Sequence, residues 1–189
     1  MSLPLPTRVV VVLGVVVGLL AYAVVVDLGV SAGRIHHGVS LNGEVDLGGL
    51  SAAEAFDLLH DLKDDLIGEP IVFSTEGLTL ITCARGCPPN GLGFRFDVPG
   101  TVKAAMDVGR SGGPLVALGR RAGAWLWGER ITWAGRPRYA RVTRLIDDWE
   151  RRAAALGLRV DRGRLRFMLR TAARRLPYER VYELPLIGS

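Results

Sequence analysis

The run Val9 to Val26, "VVVVLGVVVGLLAYAVVV", constrains this chain more than any other stretch. Nothing in it is charged; Arg8 precedes it and Asp27 follows it. Eighteen residues at about 1.5 Å each make a helix of roughly 27 Å, close to the ~30 Å hydrocarbon core of a bilayer. The direct expectation is a membrane-spanning helix. Two other readings stand beside it. Val30-Ser31-Ala32 before Gly33 offers small residues to a signal peptidase, although a secretory signal core is usually about 7–15 residues. The run could also be a buried helix of a globular protein. Gly14-x-x-x-Gly18 has the spacing of a helix-pairing face, which a glycine- and valine-rich run also produces by chance. Arg8 and Arg34 flank the run on opposite sides, so the positive-inside rule votes only slightly. Placing the N-terminus in the cytoplasm sends the C-terminal part outside. The expected localisation is the cell membrane, single-pass, with the C-terminal domain extracytoplasmic.

That orientation suits the two cysteines, Cys83 and Cys87, in "TCARGCPPN". A structural zinc site needs four ligands, and none of the three histidines lies at the required spacing. Cys-x-x-x-Cys is also not the Cys-x-x-Cys of redox enzymes. Two cysteines flanking Gly86 in a turn-rich loop suit a small disulfide clasp in an oxidising space, with two free thiols in a reducing compartment as the alternative.

Charge is unevenly spread. From Gly33 to Asp97 there are four basic and ten acidic residues, a net of −6; from Val98 to Ser189 there are nineteen and eight, a net of +11. Only Lys63 and Lys103 are lysine. A basic half of this size attracts anionic partners over long range: lipid headgroups, wall polymers or nucleic acid. An arginine-for-lysine bias is also common in chains rich in alanine, glycine and valine.

The remaining sequence reads as α+β. "IHHGVSLNG" is an extended segment. Ser51 and Glu54 form a capping box before a helix with Ala55, Leu58, Leu59, Leu62 and Leu66 on one face. Residues 70–75 and 78–83 form a hairpin around Glu76-Gly77. Asp97 caps a helix with Val102, Ala105, Met106 and Gly109 on one face. Leu115, Leu118, Ala122, Trp125 and Leu126 suggest a further helix edged by Arg120 and Arg121. There Trp125, Trp127 and Trp133 cluster with arginines, the composition of an interfacial helix or a carbohydrate-stacking surface; core tryptophans beside a basic face are the commoner pattern. Val142, Leu145, Ile146, Trp149, Ala153 and Leu156 form one more stripe. "LGFRFD" at Leu92 returns as "LGLRVD" at Leu156, each followed by a helix; in the second, Asp161 is the cap and Leu165, Met168, Leu169, Ala172 and Leu176 form the stripe. That is the pattern of an imperfect repeat. "RVYELPLIGS" reads as a short closing strand.

Ile35, Gly38-Val39, Gly43, Asp46, Gly49-Leu50-Ser51 and Glu54-Ala55, followed by Leu92-Gly93, Asp97 and Gly109-Arg110, carry a resemblance. Over about residues 34–113 the chain resembles the peptidoglycan-binding domain of YoaR-like and VanW-containing bacterial envelope proteins. The resemblance implies an N-terminal anchor, an envelope location and a wall-binding role. Cys83 and Cys87 depart from the family pattern, the second copy is shortened, and no Ser-His-Gly-Cys motif of L,D-transpeptidases is present. The expected organisation is a cytoplasmic tail (1–8), a transmembrane helix (9–26), a linker (27–34), a peptidoglycan-binding α+β domain (35–133) and a shortened second α+β module (134–189).

Catalysis is not expected. A nucleophile needs a base within reach, and His36, His37 and His60 lie far in sequence from Cys83. Asp64-Asp65 and Asp147-Asp148 fall on solvated helix faces, and no phosphate-binding glycine loop is present. No cofactor, metal or nucleic acid is expected. The expected function is a non-enzymatic, membrane-anchored contact with peptidoglycan or anionic wall polymers, through Arg120, Arg121, Trp125 and Trp127. The alternative is an accessory subunit docking another envelope protein, a membrane-associated wall enzyme or transporter.

Overall fold

The computed structural model describes residues 7–30, 33–87, 91–110, 114–177 and 179–187; within the first and fourth helices the described side chains are residues 9–19, 22, 29, 116, 117 and 119–127. Ser31-Ala32 of the cleavage-site reading and Leu115 and Leu118 of the apolar stripe therefore lie outside the described side chains. The described residues form six helices and eight short strands, an α+β fold.

The apolar run forms α1 (Thr7–Val30). Among the described residues, however, no helix is long and apolar enough to cross a membrane. The expected transmembrane helix and the single-pass membrane localisation are corrected accordingly.

Beyond α1 the local rules hold well. In α2 (Ala52–Leu66) the Ser51 hydroxyl accepts from the Glu54 N–H at 3.3 Å while the Glu54 carboxylate accepts from the Ser51 N–H at 2.8 Å, the reciprocal capping box. The Ser51 N–H bond is the larger cause of a Glu54 carboxyl held below its ordinary value. The pairing is therefore complete above the ordinary carboxylate range and is lost as pH falls through the lowered value. Ala55, Leu59 and Leu66 are buried and Leu62 packs against them, but Leu58 is exposed. Strands β3 (Pro70–Thr75) and β4 (Leu78–Cys83) pair antiparallel from Thr75↔Leu78 outward, so Glu76-Gly77 is a two-residue turn, with Gly77 at φ +81°. Asp97 caps α3 (Val98–Asp107) by accepting from the Gly100 N–H at 2.9 Å. Asp161 caps α6 (Arg162–Ala172) from Arg164 in the same way and at the same distance. The two Leu-Gly-x-Arg-x-Asp turns thus share a cap geometry, and Gly93 and Gly157 both have positive φ.

Three small sheets tie distant segments together. The first orders β2 (Val45–Asp46), β1 (Val39–Leu41) and β6 (Glu129–Ile131), with β1 and β6 parallel. The second orders β4, β3 and β8 (Val181–Glu183), with β3 and β8 parallel. The third pairs β5 (Arg95–Phe96) with β7 (Gly135–Arg136). The helix α5 (Tyr139–Ala154) turns Val142, Leu145, Ile146, Trp149 and Ala153 inward and leaves Leu156 beyond its end exposed. From α6 onward Leu165, Leu169, Ala172 and Leu176 are buried with them. One continuous core results, in which Phe73 contacts both Trp149 and Tyr182 at about 5 Å.

The helix α4 (Pro114–Trp127) departs from its expected facing. Ala122, Trp125 and Leu126 are exposed, and Ala124 is the buried residue. The reason is a backbone contact. Gly38 sits at φ +83°, and a Cβ there would fall on the Ala124 carbonyl oxygen. The Gly38 carbonyl accepts from Glu129 at 2.8 Å, so the end of α4 is held main chain to main chain rather than by its apolar stripe. Gly38→Ala meets both a left-handed φ and a backbone clash, and is expected to destabilise by at least ~2 kcal/mol in denaturant unfolding. Gly119→Ala, in the same helix with open space around it, is expected to stabilise by about 0.5–1 kcal/mol.

Candidate functional sites

Arg120, Arg121, Trp125 and Trp127 all lie on α4, but they do not share one face. At 100° per residue Arg120 and Trp127 fall within about 20° of each other, and Arg121 and Trp125 within about 40°, with the two pairs well apart around the helix. Trp125 and Trp127 are 73% and 80% exposed, with Leu126 between them at 60%. Of Trp125, Trp127 and Trp133, which cluster in sequence, only Trp133 is buried. The arginines are engaged. Arg121 Nε donates to the Gly109 carbonyl at 2.8 Å, its stem crossing the space a Gly109 Cβ would fill. Arg120 lines a small cavity of about 230 Å³ with Asp107 and Glu129 on its walls. The helix itself, "PLVALGRRAGAWLW", carries no acid.

A second region escaped the sequence reading. Lys63 and Asp64 of α2, Arg85, the segment Gly93–Phe96, and Arg138 and Arg141 at the start of α5 line a cleft of about 500 Å³. Folding explains the convergence. After β4 the chain doubles back, so that Leu92 and Phe94 donate to the carbonyls of Cys83 and Ala84 at 2.9 and 2.8 Å. Arg138, the N-cap of α5, donates its N–H to the Leu92 carbonyl at 3.2 Å, which brings α5 over that segment. Gly93 forms the floor. It is buried at φ +62°, and a Cβ there would lie 2.8 Å from Arg141 Cδ and 3.4 Å from Arg138 Cδ.

The electrostatics are one-sided. Among the described residues Asp64 is the sole acid of the cleft lining, and it already pairs with Lys63 at 3.1 Å. Among the described residues no carboxylate lies within ion-pair distance of Arg85, Arg95, Arg138 or Arg141. Some arginines outside the cleft do have carboxylates, Arg162 reaching both Asp147 and Glu150, Arg175 reaching Glu179 and Arg180 reaching Glu69, whereas Arg136, Arg144, Arg159 and Arg164, also outside it, have none among the described residues. A charge count along the chain cannot separate these two populations.

Cys83 and Cys87 are joined, with Cα atoms 6.1 Å apart, so neither is a free nucleophile. The ring they close contains Arg85, whose N–H is fixed to the Ile67 carbonyl at 3.0 Å. His36 is buried with Nδ1 2.9 Å from the His37 carbonyl, and His60 lies beside Asp61 and Asp64 on the surface of α2. Compared with known protein families, characterised proteins and solved structures, the chain matches none.

A five-residue ring contributes about 2 kcal/mol of stability through loop entropy. Non-reducing mass spectrometry is expected to show the Cys83–Cys87 peptide two hydrogens lighter than its reduced form. Reduction is expected to lower unfolding stability by no more than that ~2 kcal/mol.

Proposed function

We propose that this protein is a non-catalytic module that contacts peptidoglycan or an anionic wall polymer. The observation that carries the reading is the exposure of Trp125 and Trp127 on a helix that bears arginines and no acid. A large aromatic left almost wholly in water by its own fold is available to stack on a flat partner, and sugar rings present such faces. Around it the basic half of the chain, net +11 over residues 98–189, draws in anionic polymers by long-range attraction. The resemblance of residues 34–113 to the peptidoglycan-binding domain of YoaR-like envelope proteins points to the same class of ligand. The thiols are joined, His36 sits in a buried backbone contact, His37 is exposed beside Gly49, and His60 lies on the solvated surface of α2.

Pull-down on purified wall sacculi at low and high salt tests this reading. The folded protein is expected to bind at low salt. Trp125→Ala/Trp127→Ala is expected to lower retention at least tenfold at both salt concentrations, since stacking is not screened. Arg120→Ala/Arg121→Ala is expected to have a smaller effect, because both side chains have partners within the protein. Folded protein that fails to bind sacculi under any condition would overturn the proposal and favour an accessory role beside another protein.

A further inference from the structure

We propose that the cleft between α2, Gly93–Phe96 and the start of α5 is a separate binding site for bridging phosphate groups of a polyanion that carries no bases. It rests on the anion-binding reading of this chain, but not on α4 or on peptidoglycan as the ligand.

Four guanidinium groups, those of Arg85, Arg95, Arg138 and Arg141, line one concavity from three separate chain segments, with no carboxylate partner among the described residues. Bringing like charges together without counter-charge is unfavourable, and the usual remedy on a protein surface is an interleaved acid. Here the one acid, Asp64, is taken by Lys63. The backbone is shaped to permit the crowding. Gly93 adopts a conformation that disfavours any side chain, in the place where the stems of Arg138 and Arg141 cross it. The disulfide ring holds the backbone of Arg85, which lines the same cleft.

The shape and charge select the ligand. The volume, about 500 Å³, exceeds what a single small oxyanion fills and leaves room for an extended ligand with several charges. Guanidinium forks bind phosphate and carboxylate alike in bidentate fashion, but a chain of tetrahedral bridging phosphates offers oxygens in several directions to forks arriving from separate segments, whereas a planar carboxylate offers one edge. Bases are not provided for. Single-stranded nucleic acid is held by open aromatic faces. Of the two aromatics in the cleft, Phe94 is buried and Phe96 is taken up edge-on by Phe94 and Trp133, at 4.8 and 5.0 Å.

The test is a titration of the full chain with short-chain inorganic polyphosphate, compared with polyglutamate and an oligonucleotide of equal charge. Polyphosphate is expected to bind at least tenfold more tightly than polyglutamate and no less tightly than the oligonucleotide. With four contacts and a slope of about −0.7 per contact, affinity should fall roughly 50-fold between 50 and 200 mM salt. Arg138→Gln/Arg141→Gln should lower affinity at least tenfold and reduce the slope by about 1.4. Gly93→Ala, which displaces the same two stems without removing charge, should lower affinity severalfold while circular dichroism reports a folded chain. Polyglutamate binding as tightly as polyphosphate, tighter binding of the oligonucleotide, or unchanged affinity in the arginine variant would each overturn the proposal. Binding to sacculi without binding to polyphosphate would sink the cleft alone. Binding to polyphosphate without binding to sacculi would sink the wall ligand and leave the cleft standing.

Discussion

The carbonyl groups that follow α6 hold three remote parts of the chain in place. A helix end leaves carbonyls without intrahelical donors, and buried ones must find partners elsewhere. The Leu176 carbonyl accepts from Trp133 Nε1 at 3.0 Å and from Asn42 Nδ2 at 2.7 Å, while the Arg174 carbonyl accepts from the same Asn42 amide at 2.9 Å. Trp133 is 1% exposed, so its indole N–H needs this acceptor. Asn42 can reach both carbonyls because it sits in the left-handed region, φ +54°, which asparagine tolerates better than most residues. One amide and one indole therefore join the β1–β2 turn, the strand region after β6 and the end of α6.

The cleft follows from that arrangement. With Trp133 fixed, Phe96 packs edge-on against it and β5 pairs with β7 beyond it. The Ala134 N–H donates to the Thr101 hydroxyl at 3.0 Å, and that hydroxyl donates in turn to the Asp97 carbonyl at 2.8 Å, which satisfies a fully buried threonine. The chain then has only a few residues in which to begin α5, and it begins over Leu92-Gly93. Arg138 and Arg141 are thereby delivered to the same cleft as Arg95 and Arg85, the last held within its own short ring. The basic site is a by-product of how the core closes, which is why no single segment of the sequence displays it.

What could be read from the chain beforehand was what is decided within about ten residues. The Ser51–Glu54 box, the Asp97 and Asp161 caps, the Glu76-Gly77 turn and the inward stripes of α5 and α6 each depend on neighbours in sequence, and each was legible. The facing of α4 was not, because a main-chain contact at Gly38, far away in sequence, outweighs a modest apolar stripe. The parallel pairings of β1 with β6 and β3 with β8 were equally invisible, since short strands of two or three residues carry no partner information. The apolar run was legible as a helix, but its length and hydropathy led to a membrane span that the described residues of α1 do not support. For the arginines, net charge located the basic half, while pairing with nearby acids, which differs between Arg162 and Arg141, depends on tertiary structure.

On this reading the four arginines gathered in the cleft, and not the basic half as a whole, hold a phosphate-bearing ligand. Side-chain Nε–Hε resonances of arginine, followed by NMR during titration of the intact protein with short-chain polyphosphate, address it most directly. Saturable shifts are expected only at Arg85, Arg95, Arg138 and Arg141, with Arg162, Arg175 and Arg180 unmoved. Shifts spread evenly over the arginines of residues 98–189, growing without saturation and without preference for the cleft, would contradict it.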